Sequence, residues 1–308
     1  MATVLITGGT GLIGQALTKA LLEKDHNVII LTRQAKNKTA LTPKLQYAGW
    51  DIQKQTIDGT AISKADYIIH LAGAGVADKR WTRQRKQEIA DSRVKGGQLL
   101  VKALQENAHT IKAVISSSAI GWYGPDPVIP NPRPFDEDDP ADDSFLGSTC
   151  RQWEASIEPV AKSGIRLVIF RTGIVLSREG GALKEFLKPL RFGIAAIPGS
   201  GRQIISWIHI EDLVRLYITA IEKEEIKGIY NAVAPNPVSN KEFTIQLANI
   251  TRGRFFVPVQ VPSFILKLIL GEMSFEVLKS ATVSSGKIHI AGFDFQFQSI
   301  EVALKNLK

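Results

Sequence analysis

The sequence contains a single cysteine, Cys150, in 308 residues. It can form no internal disulfide and suits a reducing compartment, so cytoplasm is the expected location. No apolar run approaches the roughly 18–20 residues that a membrane span needs. The longest candidate, Phe264 to Leu270, is broken by Lys267, and no basic leader or cleavage signal precedes the first apolar run. Five histidines (His26, His70, His109, His209, His289) lie far apart in the chain, and the cysteine has no partner at ligand spacing. No metal site is expected. Internal repeats and low-complexity tracts are missing too. Aromatic residues make up only 7% and do not interleave with the basic ones, which argues against a base-stacking nucleic-acid platform. The net charge of +8 is as compatible with attracting phosphorylated small molecules. The densest basic cluster, Lys79, Arg80, Arg83, Arg85 and Lys86, begins a helix and could be only a solvated face.

With 44% hydrophobic and 22% charged residues, the composition is that of an ordinary globular protein. Its organising stretch is Thr3-Val4-Leu5-Ile6-Thr7-Gly8-Gly9-Thr10-Gly11-Leu12-Ile13-Gly14. The apolar run suits a strand buried on both faces of a parallel sheet, and a helical pattern continues through Leu17 and Leu21. Gly8 would make the tight turn, Gly11 would admit a pyrophosphate, and Gly14 would let the helix pack on the strand. Phosphates would meet free N–H groups and the positive end of the helix dipole at Leu12 and Ile13. Dinucleotide binding is the expectation; an ordinary glycine turn is the alternative.

Asn27 to Thr32 reads as the second strand. A fold that prefers NAD places a carboxylate at its end, whereas this chain has Thr32-Arg33, with Lys36 and Lys38 following. A guanidinium there suits the 2′-phosphate of NADP(H), so NADP(H) is expected over NAD(H), unless Arg33 is a plain surface residue. Leu45 to Ala48 is a third strand, with Trp50 and Asp51 expected beside the adenine. Tyr67 to Leu71 is a fourth, running into Ala72 and Gly73, and His70 within it reads as a core histidine. A helix follows from about Thr82 to Asn107, then the strand Val114-Ile115-Ser116-Ser117-Ser118. Alternating strands and helices imply an α/β fold, a doubly wound Rossmann-type parallel sheet with its ligand crevice beyond the carboxyl ends of the strands. The glycine turn, Leu71-Ala72-Gly73 and Ser116 to Ser118 should converge there.

Gly121 to Ser144, rich in proline and acid, is expected to be a lid or recognition loop. A helix is expected from Phe145 to Lys162. A sixth strand, Arg166 to Phe170, ends in Arg171-Thr172-Gly173, placed in the same cofactor cleft. Ile204 to Ile210 looks like a return to the main sheet. The expected organisation is a cofactor domain over 1–175, joined by 204–233, and a smaller, interleaved C-terminal substrate lobe over 176–308.

Together, Thr7 to Gly14, His70-Leu71-Ala72-Gly73, Ser116-Ser117-Ser118-Ala119 and Trp207-Ile208-His209-Ile210-Glu211-Asp212 resemble the extended short-chain dehydrogenase/reductase superfamily. More narrowly, the chain resembles its epimerase-family branch, also labelled nucleoside-diphosphate-sugar epimerase-like. Arg80-Trp81, Ser92-Arg93-Val94, Cys150-Arg151-Gln152-Trp153-Glu154 and Arg171 to Leu176 carry that likeness. So do Leu270-Gly271-Glu272-Met273 and Gly292-Phe293-Asp294-Phe295. The resemblance implies a nicotinamide cofactor, a small-molecule substrate in the C-terminal lobe and a homodimer.

It also implies Ser118 at the position that hydrogen-bonds the substrate oxygen. Most members pair that serine with a tyrosine and a lysine four residues later, which exchange the substrate proton near neutral pH. Counting back from Glu154, those two positions hold Leu146 and Cys150 here, and no tyrosine in the chain has a lysine four residues on. Tyr123 could reach the cleft as a substitute acid, or pack a loop. Cys150 could donate a proton, or be a small apolar helix residue. Two readings stay open: an NAD(P)-dependent oxidoreductase or epimerase-like enzyme, or a non-catalytic NADP(H)-binding sensor or scaffold. For a nucleotide-sugar substrate, Arg171, Lys184, Lys188, Arg191 and Arg202 could supply charge, or form a solvated face.

Overall fold

The computed structural model describes residues 1–308, the side chain of Lys36 excepted. The strands are β1 (Thr3–Thr7), β2 (Asn27–Thr32), β3 (Leu45–Asp51), β4 (Thr56–Ile57), β5 (Tyr67–His70), β6 (Ala113–Ala119) and β7 (Arg166–Thr172). There follow β8 (Ile174–Ser177), β9 (Gly180–Gly181), β10 (Ile194–Pro198), β11 (Ile204–Ile205), β12 (Trp207–His209), β13 (Gly228–Ala232), β14 (Val238–Ser239) and β15 (Val257–Val261). Helices in the first half are α1 (Leu12–Glu23), α2 (Gly59–Lys64), α3 (Arg83–Glu106), α4 (Phe145–Ile157) and α5 (Pro159–Lys162). Later come α6 (Ala182–Leu190), α7 (Ile210–Glu222), α8 (Asn240–Arg252), α9 (Ser263–Leu270), α10 (Ser274–Leu278), α11 (Gly286–Ile290) and α12 (Ile300–Asn306).

The main sheet has the order β13-β7-β6-β5-β1-β2-β3-β4, parallel except for β4. The chain steps from β1 outward through β2 and β3, then restarts on the other side of β1 with β5. The order reverses between β1 and β5, and such a switch point opens a crevice at the carboxyl ends of the strands. Alternate residues of each buried strand feed opposite faces. Val4, Ile6, Val28 and Ile30 pack with Leu17, Leu216 and Tyr217 of α1 and α7. Leu5, Ile29, Ile68 and Val114 pack with Ile62, Leu99 and Leu100 of α2 and α3. This two-sided burial explains why the strands read as continuous apolar runs.

Caps set the helix starts. The Thr82 hydroxyl accepts from Arg85 N, the Ser144 hydroxyl from Gly147 N and the Ser239 hydroxyl from Glu242 N. The helix expected over Phe145 to Lys162 is two helices, because Pro159 lacks the N–H that would continue α4 but can open α5. Ile204 to Ile210 does not rejoin the main sheet. At Gly173 the chain leaves β7, and Ile174 N bonds to Ser206 O, so β12 pairs with the continuation β8. β11 pairs with β14, and β13 alone of the later strands adds to the main sheet, beside β7.

Leu176, Leu183, Trp207, Phe243 and Leu304 form a separate apolar core joining α6, α8 and α12. The proline-rich loop is anchored rather than free. Asp126 accepts from both Ser280 and Thr282 hydroxyls, and Phe135 bridges to Val283 and stacks on Tyr123 at 5.3 Å. No helix is long and apolar enough to cross a membrane.

Candidate functional site

The switch point is clamped by one hydroxyl. Thr7 Oγ1 accepts from the N–H groups of Leu71 and Ala72, each at 3.1 Å. That leaves its own proton for His70 Nδ1, 2.8 Å away, and puts the ring proton on Nε2, which is buried without a partner. Burial holds the His70 pKa down to about 4, so this histidine is neutral near neutral pH and serves the core.

Above the clamp, Gly8 turns the chain at φ +71°, and a β-carbon there would stand 2.9 Å from the Leu71 carbonyl carbon. At Gly14 a β-carbon would stand 2.4 Å from Gly8 O, so only glycine lets α1 come this close. Gly11 caps α1 without any side-chain bond, and the first turn carries no acid. The N–H groups of Leu12 and Ile13 are therefore left with no internal competitor for an anion, the arrangement that can hold phosphate at a helix N-terminus.

From this turn a cleft of about 460 Å³ runs across the carboxyl ends of β1, β2, β3 and β5. It gathers Gly8, Thr10, Gly11, Arg33, Trp50 and Asp51, together with Leu71, Ala72 and Gly73. Arg33 is exposed and makes no ion pair among the described residues. Asp51 is tied back to Gln53 N and Lys54 N, at 2.9 and 3.1 Å, which fixes the loop beside Trp50. Lys36, also expected near Arg33, lies outside the described side chains.

Sequence reasoning does not single out Arg85 within its basic cluster. It is 6% exposed and lines the same cleft. Its Nη1 donates to Glu88 at 2.7 Å and its Nη2 to the Gly75 carbonyl, while Nε is buried without a partner. An orphaned buried donor of this kind marks a place where a bound group would complete the bonding. Only the three-dimensional closure of the 73–75 segment over α3 reveals it; its helical spacing does not.

The other expected residues fall elsewhere. Ser116 and Ser117 are buried in β6, with Ser116 opposite His70, and neither lines the cleft. Arg171 is 1% exposed and wholly committed. It forms a two-pronged ion pair with Glu154 at 2.9 and 3.0 Å, donates to Tyr123 Oη and the Glu137 carbonyl, and stacks 3.6 Å over the Trp122 ring. Thr172 bonds to Phe170 O, and a β-carbon on Gly173 would meet Ser206 O at 2.7 Å. These three are engaged in contacts that hold the sheet to its neighbours, and none lines the cleft.

Ser118 Oγ donates to Glu154 Oε1 at 2.6 Å and is likewise buried. Tyr123, expected as a substitute acid, is 0% exposed, with its hydroxyl donating to Asn231 Oδ1 at 2.7 Å. Burial pushes its pKa up to about 12, although Arg171 pulls the other way, so it does not fit the part of a proton donor near neutrality. Cys150 is buried at the lysine position with Sγ 3.6 Å from the Ala119 carbonyl, and burial and Glu154 push its thiol up to about 11. Leu146, at the tyrosine position, packs toward Gly121. Among the basic residues considered for a diphosphate, Lys188 pairs with Glu185 on the surface and Arg202 reaches the Ile129 carbonyl. They do not meet Arg171.

A second cavity of about 530 Å³ lies between α4 and the C-terminal lobe, walled by Trp81, Phe145, Phe275 and Leu278, with Lys267, Glu272 and Glu276 at its edges. Trp81 and Phe145 meet edge to face at 4.9 Å, and Trp81 Nε1 donates to Val76 O. The same loop, residues 74–81, therefore borders both cavities.

Comparison with known proteins agrees with this architecture. An epimerase family protein of Staphylococcus saprophyticus is 36% identical over 100% of this chain and 99% of its own length. One from Mycobacterium tuberculosis is 34% identical over 98% and 96%. The human epimerase family protein SDR39U1 (isoform 2), solved with NADPH, superposes with a TM-score of 0.87 at 30% identity, covering 99% of this chain and 98% of that one. A nucleoside-diphosphate sugar epimerase from Corynebacterium glutamicum gives 0.77 at 31% identity, over 99% of this chain and 58% of that longer one. Residues 261–307 match a domain of unknown function, DUF1731. Residues 4–232 match the NAD dependent epimerase/dehydratase family, and the chain belongs to that family.

Proposed function

We propose that the protein binds NADP(H) in the cleft below α1 and acts as an epimerase-like oxidoreductase on a small molecule. The observation that carries this is the uncapped, glycine-built N-terminus of α1 facing a cleft whose far end holds the free Arg33 and no carboxylate on β2. The N–H groups of Leu12 and Ile13 would take the pyrophosphate and Arg33 the 2′-phosphate. The relative solved with NADPH supports that choice. Bound there, a nicotinamide would supply hydride exchange at its C4.

Residues 1–175, joined by 204–233, would hold the cofactor, and 176–308 would close over substrate. The aromatic walls of the second cavity suit a substrate with a flat or apolar portion, while its carboxylates Glu272 and Glu276 are paired with Lys86 and Lys279. A homodimer in a reducing cytoplasm completes the proposal, and sedimentation tests the dimer.

Leu146 and Cys150, in place of the proton-relay pair, favour a second reading: an NADP(H) sensor or scaffold without turnover. One experiment separates the two readings. NADPH absorbance is followed by stopped flow after mixing loaded protein with fractionated metabolites. Oxidation dependent on one fraction establishes hydride transfer; a silent trace together with no isomerised product by NMR in any fraction, which also rules out a redox-neutral epimerase, favours the sensor.

A further inference from the structure

We propose that Arg93 takes the place of the absent lysine: its guanidinium, reaching across from α3, holds the nicotinamide-ribose end of the bound dinucleotide. The inference rests on the cofactor reading above. At the lysine position α4 carries Cys150, too short and too buried to reach a ligand. A positive charge arrives instead from the opposite helix. The Arg93 guanidinium carbon lies 5.0 Å from the centre of the Trp153 ring, three residues past Cys150 on α4. It is also 3.1 Å from where a β-carbon on the cleft residue Gly73 would stand. Nη1 is fixed by the carbonyls of Ala74 and Ile89 at 2.9 and 3.0 Å. Nε and Nη2 donate to no group among the described residues. The neighbouring Ser92 hydroxyl, which lines the cleft, accepts from Ala74 N at 2.9 Å. Residues 73–75 are thus stapled to α3 with the guanidinium seated against their glycine, at the carboxyl end of β5. The charge also registers on Cys150, where it opposes the upward push of burial.

A lysine in this place does two jobs: it binds ribose hydroxyls and it assists proton transfer. Arginine keeps the binding role but cannot pass a proton on, because its guanidinium stays charged at every accessible pH. The substitution therefore keeps cofactor geometry and gives up the proton relay, in step with the loss of the tyrosine at Leu146.

Calorimetry with two probes tests this: NADPH, and adenosine 2′,5′-bisphosphate, which has the 2′-phosphate end but no nicotinamide ribose. Arg93→Gln is expected to weaken NADPH by roughly tenfold or more, the scale of a charge-assisted bond, and to leave the bisphosphate within about twofold. Arg93→Lys should recover most of the loss. Gly73→Ala, which crowds the guanidinium without removing it, should also weaken NADPH selectively. Unchanged NADPH affinity in Arg93→Gln, or equal loss for both probes, overturns the proposal. Wild-type protein that binds neither probe overturns the cofactor reading itself, and this proposal with it.

Discussion

Single side chains divide here into those legible from sequence and those visible only through contacts. Gly8, Gly11 and Gly14 announce the tight turn from β1 into α1 by spacing, because that turn is local. Thr7 does not, since its hydroxyl acts on residues more than sixty positions away. Arg85, Arg93 and Arg171 are equally silent: helical or strand position says nothing about which carbonyl or carboxylate a guanidinium will meet. For Arg33, calorimetry should show NADPH binding more tightly than NADH. Arg33→Ala should erase most of that difference, roughly tenfold or more; equal affinities in the wild type would remove Arg33 from the site. At the buried hub, Glu154→Gln leaves the Arg171 guanidinium without its countercharge. It should cost about 3–5 kcal/mol of stability in urea unfolding. Ser118→Ala should cost less, about 1.5–3 kcal/mol, and spare cofactor affinity. A Glu154→Gln protein as stable as wild type would show the pair to be dispensable.

Among the elements, the turn from β1 into α1 bears the tightest steric demand. Gly14→Ala would force a methyl to 2.4 Å from Gly8 O, so α1 must lift off the strand. NADPH affinity should fall by at least an order of magnitude in fluorescence titration, because the N–H groups move with the helix. Retained affinity would mean the helix can slide without cost. Long, two-sidedly buried strands and capped helices were readable because apolar runs and capping residues are strong local signals. The short strands β8, β9, β11, β12 and β14 were not, since two to four residues carry no periodicity. The lid expected at Gly121 to Ser144 illustrates the same limit. Its prolines mark a loop, but its anchorage comes from Ser280 and Thr282, far along the chain.

For the molecule as a whole, acid sensitivity should follow from two buried imidazoles. Burial lowers the pKa of His70, and of His209 despite the opposing pull of Asp212 and Asn306, from 6.5 to about 4. Below about pH 6.5 the unfolded chain binds protons that the folded one refuses, so stability is complete above that pH and falls toward pH 4. Each group contributes up to roughly 1.4 kcal/mol per pH unit. Urea midpoints measured between pH 7 and 4.5 should decline, and His70→Gln should decline less steeply than wild type. Parallel slopes would rule out His70 as a source. Saturating NADPH should raise the thermal midpoint, by mass action on the folded state alone.

The guanidinium of Arg171 also constrains the order in which the protein can be completed during synthesis. It gathers Tyr123, Glu137 and Glu154 from upstream, but Asn231, which holds Tyr123, and strand β13, which covers the edge of β7, come some sixty residues later. Ribosomes add about 5–20 residues per second. For several seconds, then, a nascent chain carries a nearly finished sheet with one edge bare. Arrested chains ending near residue 200 should be cut readily by protease, and chains with residue 232 well clear of the ribosome should resist.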